Sequence, residues 1–221
     1  LNMRSISKTV EKIIVTSPFL EEALTEKLIN VSSLARKIRQ EVEHAMGEPI
    51  KEGAIVMAIN RLEPSYYYKI NIGIKDFVNN IGDIIVRSNL RAYTYENSNT
   101  LIGSQKSLLD EASKNKKHFH TISQGIYETT IIISNSLKEP IEQEFREEHL
   151  ITSKNDLSSI TVKLPMKNTE VSGLYYYIFK KLAWAGINII EIISTTNEFT
   201  LVVSDDDIDK AFSILMGLKK D

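Results

Sequence analysis

The stretch that decides the fold is LYYYIFKKLAWAGINIIEIISTTNEFTLVVSDDDIDKAF, residues 174–212. Its periodicity changes from helix to strand, to a second strand and back to helix, with almost no connecting loop. Gly186 is placed to form the turn that follows the first helix. No side chain in the stretch belongs to an obvious catalytic group. The stretch therefore predicts a compact α/β unit without a catalytic centre.

The same order of segments occurs about 70 residues earlier in the chain. The runs ETTIIIS (128–134) and EFTLVVS (198–204) share the pattern E-x-T, three aliphatic residues and a serine. The other segments of the two copies correspond as well: strand-like 83–95 and 158–164, helical 101–114 and 171–185, strand-like 118–123 and 188–194. Internal repetition of this kind indicates two copies of a β-α-β-β-α unit.

The sequence offers a fourth strand for the first unit but not for the second. A β-α-β-β-α-β unit packs its helices on one face of an antiparallel sheet, as in the ferredoxin-like fold. The first copy can complete itself with residues 149–153. The second copy cannot, because only GLKKD follows Met216. Its open edge is to be filled by residues 66–72, by a neighbouring copy, or by nothing. Since an open edge invites pairing, we expect the two repeats, or two chains, to join sheets.

The N-terminal part, up to about residue 62, predicts four short helices and no strand. Its third helix begins at Ser32 or Ser33 and ends at Gly47, a plausible C-cap. Residues 32–46 and 50–62 can be interpreted as a helix-turn-helix whose Arg36, Lys37 and Arg39 meet phosphates. However, residues 1–62 contain nine Lys and Arg against eight Asp and Glu, so there is no basic footprint. A small helical interaction module is the other interpretation.

Composition restricts the function classes. The chain is 42% hydrophobic and 25% charged, as in ordinary globular proteins, and no apolar run approaches the roughly 18–20 residues of a membrane span. It has no cysteine, which favours a reducing cytoplasm, and its net charge of −2 argues against a strong pull on nucleic acid. No nucleophile–base pair, phosphate loop or metal-ligand set is present. We therefore expect a protein that is not an enzyme and holds no cofactor or metal.

The run NTEVSGLYYYIFKKLAWAGINII, residues 168–190, resembles an ACT domain, in particular those in the regulatory part of aspartate kinases. The points of match are Gly173 opening the first helix, the Ala-x-x-Gly-Ile-Asn-Ile turn at 183–189, the strand pair ending at Ser204, and Asp209-Lys210-Ala211. The resemblance covers about 60 residues, 158–220. It is much weaker in the first copy, which has no glycine in register with Gly173. Nothing resembles the kinase catalytic domain.

The resemblance implies a function and a site. ACT domains typically bind a small ligand, often an amino acid, at the loop between the first strand and the first helix, usually at an interface between two such domains. A helix N-terminus suits a carboxylate, because it presents free N–H groups and a positive dipole end. Carried over, the ligand contacts are Met166, Asn168, Thr169, Val171, Ser172, Gly173 and Leu174 in that loop, Asn188 and Ile189 at the start of the next strand, and Ser194 and Thr195 at its end.

These observations together predict an α+β chain: a helical domain at 1–63, a connector at 64–82, and two tandem ferredoxin-like βαββαβ ACT-like domains at 83–155 and 156–221. The predicted function is that of a cytoplasmic regulatory protein that binds an amino acid and forms a homodimer through its ACT sheets. Ligand binding is expected to stabilise one arrangement of the N-terminal module. The alternatives are a ligand-responsive transcriptional regulator that binds DNA through the N-terminal helices, and a detached regulatory subunit of an enzyme such as aspartate kinase.

Overall fold

The computed structural model describes residues 5–62, 74, 77–166 and 171–219. The chain divides into two compact units, residues 1–75 and 76–221. The strand considered at 66–72 lies outside the described residues. No helix among the described residues is long and apolar enough to cross a membrane.

The first unit is helical, as the sequence predicts. Its helices are α1 (Ile6–Val15), α2 (Pro18–Thr25), α3 (Val31–Met46) and α4 (Glu52–Asn60). Apolar side chains at helical spacing on three of these helices meet in one buried core: Val10, Ile13, Ile14, Leu34, Ala35, Ile38, Val42, Ile55, Ala58 and Ile59, joined by Ile50. The predicted helical N-terminal region is confirmed.

The start of α3 differs from the prediction. Asn30, and not Ser32 or Ser33, is its N-cap, and the Asn30 side-chain oxygen accepts a hydrogen bond from the Ser33 N–H at 3.0 Å. Asparagine caps a helix as well as serine does, and Asn30 comes first in the chain. The helix ends at Gly47, as predicted, where φ is +78°. Glycine reaches this left-handed conformation without a steric penalty.

Among its described residues, the second unit has a six-stranded sheet and four α-helices of seven residues or more. Its elements in chain order are β1 (Ile84–Glu96), α5 (Leu101–Ser113), β2 (His120–Gln124), β3 (Glu128–Ser134), α6 (Lys138–Glu144), β4 (Leu150–Lys163), α7 (Leu174–Trp184), β5 (Ile189–Ser194), β6 (Glu198–Ser204) and α8 (Ile208–Leu218). The strand order is β2-β3-β1-β4-β6-β5, and every pair is antiparallel. The prediction that the two repeats join sheets is confirmed.

The two longest strands, β1 and β4, each serve both repeats. Residues 90–96 of β1 pair with β3, and residues 157–163 of β4 pair with β6, while β1 and β4 pair with each other along most of their length. The start of β4 therefore completes the first repeat, as predicted. The start of β1, residues 84–87, completes the second repeat. These residues belong to the neighbouring repeat, one of the three candidates considered for that edge. The predicted domain boundaries stay predictions; residue 155 lies inside β4.

The two repeats agree at the level of side chains. Asn89 and Asp156 occupy matching positions in β1 and β4, and both have positive φ, +63° and +54°. Asparagine and aspartate tolerate this left-handed region better than other non-glycine residues. Two threonine pairs also match: the Oγ1 atoms of Thr94 and Thr130 are 3.0 Å apart, and those of Thr161 and Thr200 are 2.8 Å apart. The repetition seen in the sequence is therefore structural.

The sheet has an apolar core on each face. On one face, side chains of β1 and β3 pack against α5 and α6, among them Tyr93, Tyr95, Ile131, Ile133, Leu108 and Ile141. On the other face a second buried cluster contains Leu90, Ala92, Ile132, Leu157 and Val202, with Phe119, Ile190 and Ile193 packed against it. Phe119 lies beside β2 and Ile190 lies on β5, strands that a flat sheet would hold about 24 Å apart. The cluster therefore extends across the sheet from one edge strand to the other.

Candidate functional site

The predicted ligand loop lies between β4 and α7 and ends at Gly173. This glycine has φ +84° and immediately precedes Leu174, the first residue of α7. The N–H groups of the first turn of a helix have no acceptor within the helix, and this end of the helix dipole is positive. Gly173 has no side chain with which to cover them. In the described part of the chain no side chain caps this helix start, an arrangement that suits an anionic group.

The other predicted residues of this loop differ in exposure. Met166 is 73% exposed, and Ser172 is exposed as well. Val171 is half-buried, whereas Leu174 is only 1% exposed. Leu174 as a whole residue therefore offers almost no surface to a ligand. Asn168 and Thr169 lie outside the described residues.

The far end of β5 meets the start of α7. The hydroxyl oxygens of Tyr175 and Ser194 are 2.8 Å apart. Thr195 follows, and its N–H donates to the Glu198 carbonyl at 2.9 Å, which closes the turn between β5 and β6. The structure thus brings Ser194 to the side chain of Tyr175 in the first turn of α7, with Thr195 next to it in the turn.

Asn188 and Ile189 lie at the opposite end of β5. Over the six residues of this strand, its two ends are separated by about 17 Å. Asn188 is exposed and follows the turn at Gly186, which lies beyond the C-terminus of α7. Within one chain, a site at the start of α7 therefore includes Ser194 and Thr195 but not this pair. A ligand contact of Asn188 and Ile189 stays a prediction.

Tyr175 belongs to the candidate site, although the sequence does not single it out. Its ring packs against the buried Phe199, with ring centroids 5.1 Å apart, and against Phe179 at 6.2 Å. This packing fixes the ring, so its hydroxyl is held beside Ser194. The only signal in the sequence was the run of three tyrosines at 175–177. Successive residues of a helix point about 100° apart, so the three rings cannot all lie in the core.

Asn197, in the turn between β5 and β6, is a second unpredicted residue. Its carbonyl accepts a hydrogen bond from the Leu164 N–H at 2.7 Å, which ties the turn to the start of the ligand loop. Its side-chain oxygen is buried and has no hydrogen-bond partner within the described part of the chain. A buried acceptor without a partner is costly, so this oxygen is suited to receive a donor from a ligand.

The matching end of the first repeat is constructed differently. Ser98 Oγ accepts from the Leu101 N–H at 3.0 Å, at the start of α5. The two carboxylate oxygens of Glu148 accept hydrogen bonds from the hydroxyls of Ser98, at 2.6 Å, and Ser104, at 3.1 Å. Asn97 closes the loop, because its amide donates to the Gly125 carbonyl at 2.9 Å. A carboxylate of the chain itself therefore lies at the N-terminal turn of α5.

The helical unit offers little free positive charge at the predicted phosphate contacts. Arg36 Nη1 lies 3.1 Å from a carboxylate oxygen of Glu52, and Arg39 Nε lies 2.8 Å from one of Glu43. Glu43 also accepts from the Ile50 N–H at 3.0 Å. The hydrogen bond from Arg39, followed by that from Ile50, lowers the pKa of Glu43. Carboxylates therefore neutralise two of the three residues expected to meet phosphates.

Metal ligands do not cluster. No group of three or more His, Asp or Glu in the described ranges could hold a metal ion. The acidic run 205–207 forms a short 3₁₀ turn ahead of α8, where Ser204 Oγ accepts from the Asp206 N–H at 3.4 Å. The Asp205 carboxylate accepts from the Ser158 hydroxyl at 2.5 Å. These contacts account for the run as part of a helix start.

Solved structures of aspartate kinase regulatory regions match the second unit. The regulatory subunit of aspartate kinase from Thermus thermophilus, in its ligand-free form, matches with a TM-score of 0.51 at 10% identity, over 62% of this chain and 97% of that chain. The second unit has the fold of an aspartate kinase regulatory region. Aspartokinase α and β subunits match with a TM-score of 0.51 at 15% identity, over 63% of this chain and 99% of that chain. The predicted resemblance is confirmed at the level of the fold.

An intact kinase matches over a smaller part of its length. The aspartate kinase of Clostridium acetobutylicum has a TM-score of 0.51 and 17% identity, over 62% of this chain but only 34% of that chain. The present chain thus spans about a third of that enzyme. No protein-family model matches the sequence, and no curated protein does. At these identities the likeness concerns the fold alone.

Proposed function

We propose that this chain is a non-catalytic regulatory protein that binds an amino acid at the N-terminus of α7. The observation that carries the proposal is the left-handed bend at Gly173, which opens α7 opposite the turn between β5 and β6. Backbone N–H groups there suit the ligand's carboxylate. The hydroxyls of Tyr175 and Ser194 and the side-chain oxygen of Asn197 can accept from its ammonium group.

The fold supports a regulatory role. The Thermus thermophilus protein with this fold is a regulatory subunit, and the Clostridium enzyme is described as allosteric. A ligand regulates only if it binds one state of its target more tightly, typically by about 1–3 kcal/mol. The state affected belongs either to the helical unit of this chain or to a separate enzyme of amino-acid metabolism such as an aspartate kinase.

Thermal unfolding in the presence of each of the twenty amino acids tests the proposal. A ligand that binds only the folded state adds about 2.7 kcal/mol to the free energy of unfolding at 100 times its Kd. We expect one amino acid, or a few related ones, to raise the Tm in a saturable manner at millimolar concentration. If none does so, the proposed function is wrong.

The second unit also presents edges for a second copy of the chain, and we propose a homodimer formed through them. The first half of β4 and the first half of β1 each pair on one side only among the described strands. Large apolar side chains are exposed on both: Ile85 at 53%, Val86 at 43%, Leu150 at 44% and Ile151 at 49%. An exposed apolar edge of this kind favours pairing with another strand.

DNA binding by the helical unit has no comparable support. Its candidate phosphate contacts Arg36 and Arg39 are paired with carboxylates. Affinity for DNA depends on the number of phosphates that free Lys and Arg neutralise. We therefore expect no salt-sensitive shift of mixed DNA fragments in a gel.

A further inference from the structure

The two repeats differ in what lies at the start of their first helix. We propose that the first repeat carries its ligand within the chain: the carboxylate of Glu148 takes, at α5, the place that a free carboxylate takes at α7. The chain then has one site for an external amino acid instead of two. The second half of this inference rests on the proposed function, whereas the role of Glu148 does not.

Glu148 is bound through both carboxylate oxygens. One accepts from the Ser98 hydroxyl at 2.6 Å, just before α5, and the other from the Ser104 hydroxyl at 3.1 Å, in its first turn. Ser98 in turn accepts from the backbone N–H groups of Thr100, at 3.3 Å, and Leu101, at 3.0 Å. The backbone N–H groups at the start of α5 thus donate to the Ser98 hydroxyl, and that hydroxyl donates to the negatively charged carboxylate of Glu148. Hydrogen bonds to an ionised acceptor are about twice as strong as neutral ones.

The second repeat has glycine at the matching position. Glu148 lies two residues before β4, and Gly82 lies two residues before β1, the strand that completes the second repeat. The hydrogen bonds between these segments confirm the correspondence. Glu96 N–H donates to the His149 carbonyl at 3.0 Å, and Lys163 N–H donates to the Asp83 carbonyl at 2.9 Å. Gly82 has no side chain, so it supplies no carboxylate near the start of the ligand loop.

The loop between the strand and the helix that follows it also differs between the two repeats. Four residues, 97–100, join β1 to α5, and ten residues, 164–173, join β4 to α7. The short loop is closed by Asn97, whose side-chain oxygen accepts from the Thr129 hydroxyl at 2.6 Å. Thr100, before α5, has φ −94°, whereas Gly173, before α7, has φ +84°. The first repeat is therefore closed around its own carboxylate, and the second has a longer loop with a glycine bend.

Removing the carboxylate and supplying a free one tests the role of Glu148. We expect Glu148→Ala to lower the Tm by several degrees, and sodium acetate to restore part of the loss in a saturable manner that sodium chloride at equal ionic strength does not reproduce. The wild type and Glu147→Ala, the matched control, should respond equally to the two salts, because the Glu147 side chain is 85% exposed. Adding Ser104→Ala to Glu148→Ala should weaken the acetate effect.

A third variant, Glu148→Gln, distinguishes acetate that replaces the missing carboxylate from a general effect of acetate on stability. Glu148→Gln keeps the size of the side chain and removes its charge, so it should lower the Tm while leaving no space for acetate. This variant also serves if Glu148→Ala does not fold. The inference is overturned if neither variant lowers the Tm, or if acetate stabilises Glu148→Ala no more than it stabilises Glu147→Ala.

Introducing the carboxylate into the second repeat tests the other half. Gly82→Glu should abolish the Tm increase that an amino acid causes, and Gly82→Ala should retain it. A Cβ atom at Gly82 would lie 3.1 Å from the Lys163 Cβ, so the alanine variant controls for crowding. Equal ligand responses of the two variants would contradict the inference. If no amino acid stabilises the wild type, the proposed function fails, while the acetate experiment still decides the role of Glu148.

Discussion

Leu90 of β1 lies directly opposite Leu157 of β4, at the point where the two repeats exchange strands. Each leucine follows a residue with positive φ, and each is only 2% exposed. Both belong to the buried cluster that also contains Ile132 of the first repeat and Val202 of the second. Because this pair belongs to both halves of the sheet, the two repeats share one core and should unfold together.

The first prediction concerns this shared core. Leu157→Ala should lower the free energy of unfolding by about 2–5 kcal/mol, the usual cost of removing a buried leucine side chain. Urea unfolding of the second unit, followed by circular dichroism, should remain a single transition. Leu109→Ala, on α5 and 40% exposed, is the matched control and should cost much less. Separate transitions for the two repeats would contradict the shared core.

The second prediction separates binding from backbone strain at Gly173. Alanine there, or at Gly186, enters a left-handed conformation, which costs about 1–2 kcal/mol at each position. Both variants should therefore lose a few degrees of Tm. Only Gly173→Ala should also lose the stabilisation by the amino acid, because Gly186 lies beyond the other end of α7 and has open space around it. The measurement is the ligand-induced Tm shift, and equal shifts would remove Gly173 from the site.

The third prediction concerns the hydroxyl of Tyr175. Tyr175→Phe keeps the ring packed on Phe199 and removes the contact with Ser194. The stability of the free protein should change by about 1 kcal/mol or less, while the amino acid should bind more weakly, as measured by titration calorimetry. Tyr176→Phe is the matched control, on the neighbouring position of the same helix and 41% exposed. A loss of affinity in both variants would point to α7 as a whole.

The sequence predicted the repeat because its strands carry the E-x-T pattern and many β-branched residues, for which a half-buried strand is the favoured structure. It named a neighbouring copy as one of three candidates for completing the second repeat but did not identify the strand. The run at 83–95 was assigned to one repeat, although the 13 residues of β1 are more than twice the usual length of a strand. That length was the available signal for a strand shared between two repeats.

The candidate site could be predicted only where its residues are close in the sequence. Gly173 and the helix it opens belong to one local pattern. The partners of Tyr175, Asn197 and Glu148 are 19, 33 and 50 residues away, and only the paired strands bring them together. The resemblance assigned Asn188 to the same pocket; within one chain it lies at the other end of β5 from Ser194, so its ligand contact stays a prediction.

The fourth prediction concerns pH. Burial, with a smaller contribution from Glu128, raises the pKa of Glu191 in β5, although a hydrogen bond from the Ile192 backbone acts against it. In the unfolded chain this carboxyl ionises near pH 4.3. Between these two pKa values the folded protein binds more protons, so the free energy of unfolding decreases as the pH rises through this range. Glu191 therefore destabilises the protein at neutral pH.

Replacing this carboxyl tests the sign of the effect. The Tm of Glu191→Gln should exceed that of the wild type at pH 7, and the two should converge below about pH 4, where the carboxyl is protonated in both states. Glu147→Gln, in an exposed loop, should follow the wild type at every pH. If Glu191→Gln is less stable than the wild type at pH 7, the Glu191 carboxylate stabilises the folded protein, and burial is not the dominant effect on its pKa.

The fifth prediction concerns assembly. Ile151 lies on the outer half of β4, which has no strand partner on one side among the described strands, and it is 49% exposed. A lysine at this edge introduces a charge that must be desolvated if a second strand is added, so Ile151→Lys should shift the protein from dimer to monomer in light scattering after size exclusion. Ile102→Lys is the matched control, since Ile102 is 68% exposed and lies in a helix, α5, and not in a strand. The two variants add the same charge. If the dimer survives Ile151→Lys and is lost in Ile102→Lys, the interface lies on the helical face of the sheet.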